Sequence, residues 1–248
     1  MRTIRNLQTL IGRELYGYFC SPIAYIFIVM FLGLLGLFTF GDGLGNFYER
    51  GVADLEIAFF TWHPWLFMVL VPAVGMRLWS EELNKGTLEL LCTMPITLWQ
   101  AVVAKFLAGL VFLGLALALT FPLVLTANYL GAPDNGKIAC GYIGSFAMAG
   151  AFLALSSFTS ALTRNQIVSF IIAVVANLVL VLAGYPTIVN VLLQWQVPAG
   201  LVDFISDLSI FSHYIGLQRG VLDTRDLVYF LLLMVFGLSS TMVALKNR

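Results

Sequence analysis

Six apolar runs, each long enough to cross a bilayer and none with an acid near its centre, constrain this chain more than any motif does. A transmembrane helix needs about 20 consecutive apolar residues. The runs fall at roughly residues 23–40, 57–76, 98–128, 138–162, 166–185 and 227–245. The composition agrees: 60% of the 248 residues are hydrophobic and 10% are charged, against roughly 25% charged in soluble domains. Mean hydropathy is +0.94. The expected fold is an all-α integral membrane protein of one domain (1–248) with six transmembrane helices. The third run is longer than a span needs and holds Pro122, so a kink, a tilt or an extension past the interface is expected there.

Lys and Arg orient the set, because they favour the inner side of a bilayer. With the N-terminus inside, Arg2, Arg5, Arg13, Arg77, Lys85, Lys105, Arg164, Lys246 and Arg248 lie inside. Arg50, Lys137, Arg219 and Arg225 lie outside. Both termini are therefore expected to be cytoplasmic. Ahead of the first run, Ile4, Leu7, Ile11, Leu15 and Tyr18 recur at helical spacing, with Arg5 and Arg13 on other faces. That predicts an in-plane amphipathic helix over 1–22, too polar for a signal peptide, ended by Ser21-Pro22. The extracytoplasmic loop 186–226 has apolar stretches of its own and is expected to form short helices at or dipping into the outer interface.

Within the spans no carboxylate offers a coupling site of the kind ion-driven carriers use. Lys105 lies near an inner end and can snorkel. Thr120, Asn128, Ser156, Ser157, Thr159, Ser160 and Asn177 are the buried polar residues. Their ordinary use is hydrogen bonding between helices; the sharper one, for Thr120, Asn128, Ser156, Ser157 and Asn177, is to line a translocation path. Trp62, Trp65, Trp79, Trp99 and Trp195 read as interface anchors. Zero net charge gives no hint of nucleic acid as a partner. Cys20, Cys92 and Cys140, an odd set without CxxC, suggest neither a disulfide frame nor zinc.

Two apparent motifs fail. Gly131–Lys137 fits GxxxxGK, but Ile138 stands where a magnesium-binding Ser or Thr belongs. His63 and His213 come with no nucleophile elbow or HExxH. No catalytic residue, cofactor or metal is therefore expected in this chain.

The charged island over 77–95 is different in kind. Leu83, Leu88 and Leu91 can share one side, with Glu81, Glu82, Lys85 and Glu89 mostly elsewhere. Gly86, which costs about 1 kcal/mol against Ala inside a helix, marks a bend. A membrane protein with one structured charged loop and no nucleotide motif looks driven by something that docks there.

These features resemble the permease subunits of ABC-2 type transporters, and among them the gliding-motility (Gld-type) permeases, over essentially the whole chain. The resemblance rests on Arg13-Glu14-Leu15 with Tyr18-Phe19 and Ser21–Tyr25, and on Pro72–Glu82 followed by Gly86–Leu91 and Met94-Pro95-Ile96. It rests also on Leu162–Gln166 and on Arg219–Asp223 with Arg225–Phe230. It implies a bacterial cytoplasmic-membrane permease without ATPase activity, with ATP and Mg bound by a separate ATP-binding subunit. A cytoplasmic coupling helix between the second and third spans would dock there through Arg77, Ser80, Glu81, Glu82, Lys85, Gly86, Thr87 and Glu89, with Arg164 in the next inner turn. Arg13 and Glu14 would brace it. A second permease subunit, identical or paralogous, and a membrane subunit with a large extracytoplasmic domain are the further partners implied. Export is the usual work. A non-transporting anchor that transmits force to an extracytoplasmic partner is the alternative, and an ATP-independent carrier or channel ranks below it.

Overall fold

The computed structural model describes residues 2–49, 51, 53–87 and 97–247. Leu88, Glu89 and Leu91 of the charged island, Cys92 and the Met94-Pro95-Ile96 motif lie outside the described residues. So do Arg50, Arg248 and the side chains of Arg2, Ile4 and Arg5.

The described residues form helices and no strand. They are α1 (Arg2–Cys20), α2 (Pro22–Phe40), α3 (Leu55–Ala58), a 3-10 turn (Phe60–Trp62), α4 (His63–Gly75), α5 (Arg77–Lys85), α6 (Leu98–Ala118) and α7 (Phe121–Leu130). After these come α8 (Asn135–Leu162), α9 (Gln166–Leu182), α10 (Pro186–Gln194), α11 (Ala199–Asp207), α12 (Ile210–Gln218) and α13 (Thr224–Lys246). Four runs are long and apolar enough to cross a membrane: Leu55–Lys85, Leu98–Leu130, Asn135–Leu162 and Thr224–Lys246. Two bent pairs qualify if each counts as one span. Leu7–Cys20 turns by 72° into Ala24–Phe40, and Gln166–Leu182 turns by 69° into Pro186–Gln194. The described residues therefore carry four to six candidate spans.

α8 is the axle of the bundle. Its span is 72% buried against 22% for that of α13, and α4, α5, α6, α9, α12 and α13 all pack on it. Small residues make this possible, since helices in lipid gain contact by close backbone approach. A methyl group on Gly237 of α13 would stand 2.7 Å from the Ala154 carbonyl carbon, and one on Gly144 would stand 2.8 Å from Leu217 Cβ. The outer faces of α9 (Ile167, Ile171, Val175, Val179) and α13 (Leu231, Leu232, Phe236) are exposed and apolar, as lipid-facing surfaces are.

The breaks on either side of α7 have local causes. α6 stops at Leu119-Thr120, where the Thr120 hydroxyl bonds the Leu117 carbonyl oxygen at 2.6 Å. Pro122 then sits in the first turn of α7, where its missing N–H costs nothing. Between α7 and α8, Asp134 caps α8 by accepting from the backbone N–H groups of Gly136 and Lys137. A carboxylate thus holds the helix N-terminus that a phosphate would need.

The segment 186–226 is more unevenly built than its sequence suggests. α10 has no buried residue and α11 only Val202. α12 belongs to the bundle, with Ile210, Tyr214 and Leu217 fully buried. α1 packs on α6, with Leu7, Ile11, Leu15 and Tyr18 turned inward and Arg13 outward.

Candidate functional site

The charged residues converge at one end of the bundle, where α1, α5 and α6 meet. Lys105 of α6, only 8% exposed in its side chain, is the hub. Its Nζ donates to Glu14 Oε2 at 3.0 Å and lies 2.9 Å from Glu82 Oε1. It also stands 5.5 Å from the centre of the Trp79 ring, within range of a cation–π attraction. Arg13 pairs with Glu14 at 2.9 Å. On the outer side of α5, Glu81 takes Lys85 at 2.6 Å and stands 3.7 Å from Arg77 Nε. The amphipathic leading helix thus reaches the charged island through one lysine.

A second set of bonds fixes α5 to α8. The Ser160 hydroxyl accepts from the backbone N–H groups of Trp79 (3.0 Å) and Ser80 (2.9 Å) and donates to the Met76 carbonyl oxygen at 2.8 Å. The Ser80 hydroxyl bonds the same carbonyl. A side-chain hydroxyl inserted into the helical hydrogen-bond ladder is a recognised cause of a helix break, and here it separates α4 from α5. Trp79 is fully enclosed, and its Nε1 donates to Ser157 Oγ at 3.2 Å. That corrects its expected place at the interface.

α5 ends at Gly86, whose φ of +69° lies in the left-handed region that favours glycine. The N–H of Thr87 returns to the Glu82 carbonyl oxygen at 3.0 Å. The bend expected at Gly86 is thus a helix terminus.

Residues 53–245 match the family described as ABC-2 family transporter protein. The chain belongs to that family. It is a permease subunit of an ABC transporter, a multi-pass membrane protein that pairs with an ATP-binding subunit in a membrane complex. The matched stretch covers most of the chain and begins after α2. Comparison with curated proteins finds no match.

The permease draws the expected coupling residues together only in part. Arg77, Ser80, Glu81, Glu82, Lys85, Gly86 and Thr87 lie on or just after α5, and Glu14 and Arg13 meet them through Lys105. Arg164, exposed in the α8–α9 turn, follows four residues after Ser160 and so lies at the same end. Glu89 is outside the described residues. Lys105 and Ser160 were not singled out as site residues by sequence. The only signal was a lysine interrupting an apolar helix, and nothing local says which acids it meets.

The residues weighed for a path are scattered and mostly engaged. Thr120 bonds Tyr142 at 2.7 Å, and Asn128 exchanges two 3.0 Å bonds with Asn135. Ser156 donates to the Phe152 carbonyl oxygen, and Ser157 holds Trp79. Asn177 differs. It is fully buried on α9, and neither end of its amide has a hydrogen-bond partner among the described residues. His63 is enclosed by the rings of Phe31, Phe59, Phe60 and Phe67, and His213 pairs with Asp226 at 2.7 Å.

Proposed function

We propose that this permease is of the gliding-motility type, crosses a bacterial cytoplasmic membrane six times with both termini in the cytoplasm, and is driven through α5. On this reading α1 lies at the inner surface and α10–α11 at the outer one. The ATP-binding subunit, which supplies all nucleotide and Mg chemistry, docks on α5 and the residues after Gly86, with Glu81, Glu82, Glu89 and Arg164 as charged contacts. The observation that supports this best is the Ser160 bond set. It ties the start of α5 to the helix on which nearly every other span packs, so a push on α5 reaches α8 without passing through the rest of α4. Two copies, identical or paralogous, form the path, and the work is export. A membrane subunit with a large extracytoplasmic domain is a further partner. The exposed Leu201, Phe204 and Trp195 on the outer helices and their connecting turn equally suit a permease that passes force to such a partner.

Purification of the tagged chain from its host in mild detergent tests the complex: a stoichiometric ATP-binding subunit is expected, and a chain that comes out alone overturns the reading. In that complex, Glu81→Ala, Glu82→Ala and Glu89→Ala together should uncouple ATP turnover while leaving insertion intact. Unchanged assembly and coupling would remove the charged-contact part. Substrate-stimulated ATPase activity favours export, and stimulation by an extracytoplasmic partner favours force transmission.

A further inference from the structure

His213, in the first turn of α12, ties three helices together. Its Nδ1 stands 2.7 Å from Oδ1 of Asp226, in the first turn of α13. Its Nε2 stands 2.9 Å from the carbonyl oxygen of Asp207, the last residue of α11. Its ring stacks on Tyr229 of α13 at 4.0 Å. The Tyr229 hydroxyl in turn bonds the next carbonyl oxygen, that of Leu208, at 2.6 Å. The last carbonyls of a helix have no partner within it and need such donors. α11 leans on them, because it buries only Val202.

A carbonyl oxygen only accepts, so Nε2 carries a hydrogen. A neutral imidazole has one N–H, and its Nδ1 would then turn a lone pair to Asp226. Two acceptors do not rest at 2.7 Å without a proton between them. The pair therefore holds one proton more than a neutral imidazole beside a carboxylate. The positive end of the α13 dipole favours a carboxylate at Asp226, and the negative end of α11 favours a cation at His213, which puts the proton on the ring. We propose that His213 and Asp226 form a proton-gated latch holding the end of α11 to α12 and α13. When the proton leaves to solvent, one N–H remains for two acceptors. Nδ1–H stays on the carboxylate, the stronger acceptor. Nε2 then turns a lone pair to the Asp207 carbonyl, and α11, with its exposed Leu201 and Phe204, is released. The two side chains are 13% and 15% exposed, which gives the proton a way out.

The other titratable groups stand apart from the ring. α11 adds the exposed Asp203 and Asp207 side chains, and α13 the exposed Asp223 and Arg225. On α12 itself Arg219 is exposed, and Tyr214 is held by Ser145 and the Phe60 carbonyl. α9 packs on α12 without a titratable side chain. α8 brings Lys137 against Gly220, beyond the far end of α12, together with a buried Cys140 and Tyr142, which bonds Thr120. The latch does not depend on where the ATP-binding subunit docks. The proposed orientation decides only that the extracytoplasmic pH is the one that acts on it.

Hydrogen exchange read by mass spectrometry tests this on the full chain, purified with whatever subunits accompany it. It is run at about pH 5 and about pH 8, across which imidazole ordinarily changes charge, and corrected for the intrinsic effect of pH on amides. A hydrogen bond to a charged group is worth about tenfold or more in an equilibrium. Peptides covering 199–208 should therefore exchange about tenfold or more faster at the higher pH, while those of α8 stay unchanged. His213→Gln should leave α11 loose at both values. Asp226→Asn is the sharper test: its amide donates to Nδ1, so a neutral ring satisfies both contacts and α11 stays protected at both values. Tyr229→Phe should raise exchange at both values and leave their ratio alone. Equal exchange of native α11 at the two values overturns the latch. So does a pH response of native size in His213→Gln or in Asp226→Asn, which would mark a general loosening. Thermal unfolding shows which variants fold, and either of the last two is enough beside the native chain.

Discussion

The two ends of the bundle satisfy their polar groups in different ways. At the end away from the charged cluster, the outer one on the proposed orientation, Tyr214 bonds the Phe60 carbonyl oxygen at 3.1 Å and Ser145 at 3.0 Å. Gln218 donates to the Glu56 carbonyl oxygen at 2.6 Å and to Thr61 at 2.8 Å. Neutral side chains there mostly meet fixed carbonyls, and every donor in that set is used. At the charged end, ions from three helices share Lys105, a hydroxyl stands in for a helical acceptor, and Arg77 Nε and Glu82 Oε2 have no hydrogen-bond partner among the described residues. The Tyr214 and Gln218 set is a closed joint, although Trp62 Nε1 and His63 Nε2 nearby have no partner among the described residues; the charged end is one that can exchange partners. On the proposed docking of the ATP-binding subunit at α5, only the second needs to move.

Removing the hub should do the most damage. Lys105→Met leaves Glu14 and Glu82, both largely enclosed, without their cation. Orphaning a buried pair costs roughly 3–5 kcal/mol, and residual exposure brings the expectation to about 3 kcal/mol, read as a drop in unfolding temperature in detergent. Adding Glu14→Gln and Glu82→Gln to Lys105→Met should restore most of it, since the charge burial goes with the acids. A triple variant as unstable as the single one would show that Lys105 acts by packing, and the contrast between the two ends would fail. Tyr214→Phe should cost about 1–2 kcal/mol, the loss of hydrogen bonds in a buried place. Its cost should not change with salt, whereas that of Lys105→Met should fall as salt rises. Gly86→Ala should cost about 1 kcal/mol, the penalty of a side chain at positive φ, and should shift the ATPase more than the unfolding temperature if the end of α5 is a docking point.

Much of the fold was legible because it is local. Apolar runs became helices whose ends shifted by a few residues, Pro122 fell at a break, and Gly86 fell at a helix end, each fixed by its neighbours in sequence. The site was legible only as a charged stretch. Lys105 looked like a lysine reaching for water, but its partners lie 91 residues away on α1 and 23 residues away on α5. No periodicity reports that. Trp79 looked like an interface anchor because it stands next to charges, whereas Ser157, on a helix 78 residues later, draws it inside. Ser160 was one more small polar residue until its place opposite Met76 made it the atom that ends one helix and begins the next.

Acid should give the smallest effect and the cleanest separation of the two ends. Burial pushes the Glu14 carboxyl up, but Lys105 and Arg13 together outweigh it and hold Glu14 below its ordinary value of 4.5. A carboxylate with a depressed folded-state value stabilises the fold above the unfolded value and loses that contribution as pH falls through the folded one. The Glu14 contribution should therefore be complete at neutral pH and disappear below pH 4.5. The difference in unfolding temperature between the native chain and Glu14→Gln should shrink over that window, while the Tyr214→Phe difference stays flat, because Tyr214 and its partners Ser145 and the Phe60 carbonyl are neutral. If both differences fell together, acid would be loosening the whole bundle, and the distinction between a closed joint and an exchangeable one would have no energetic basis.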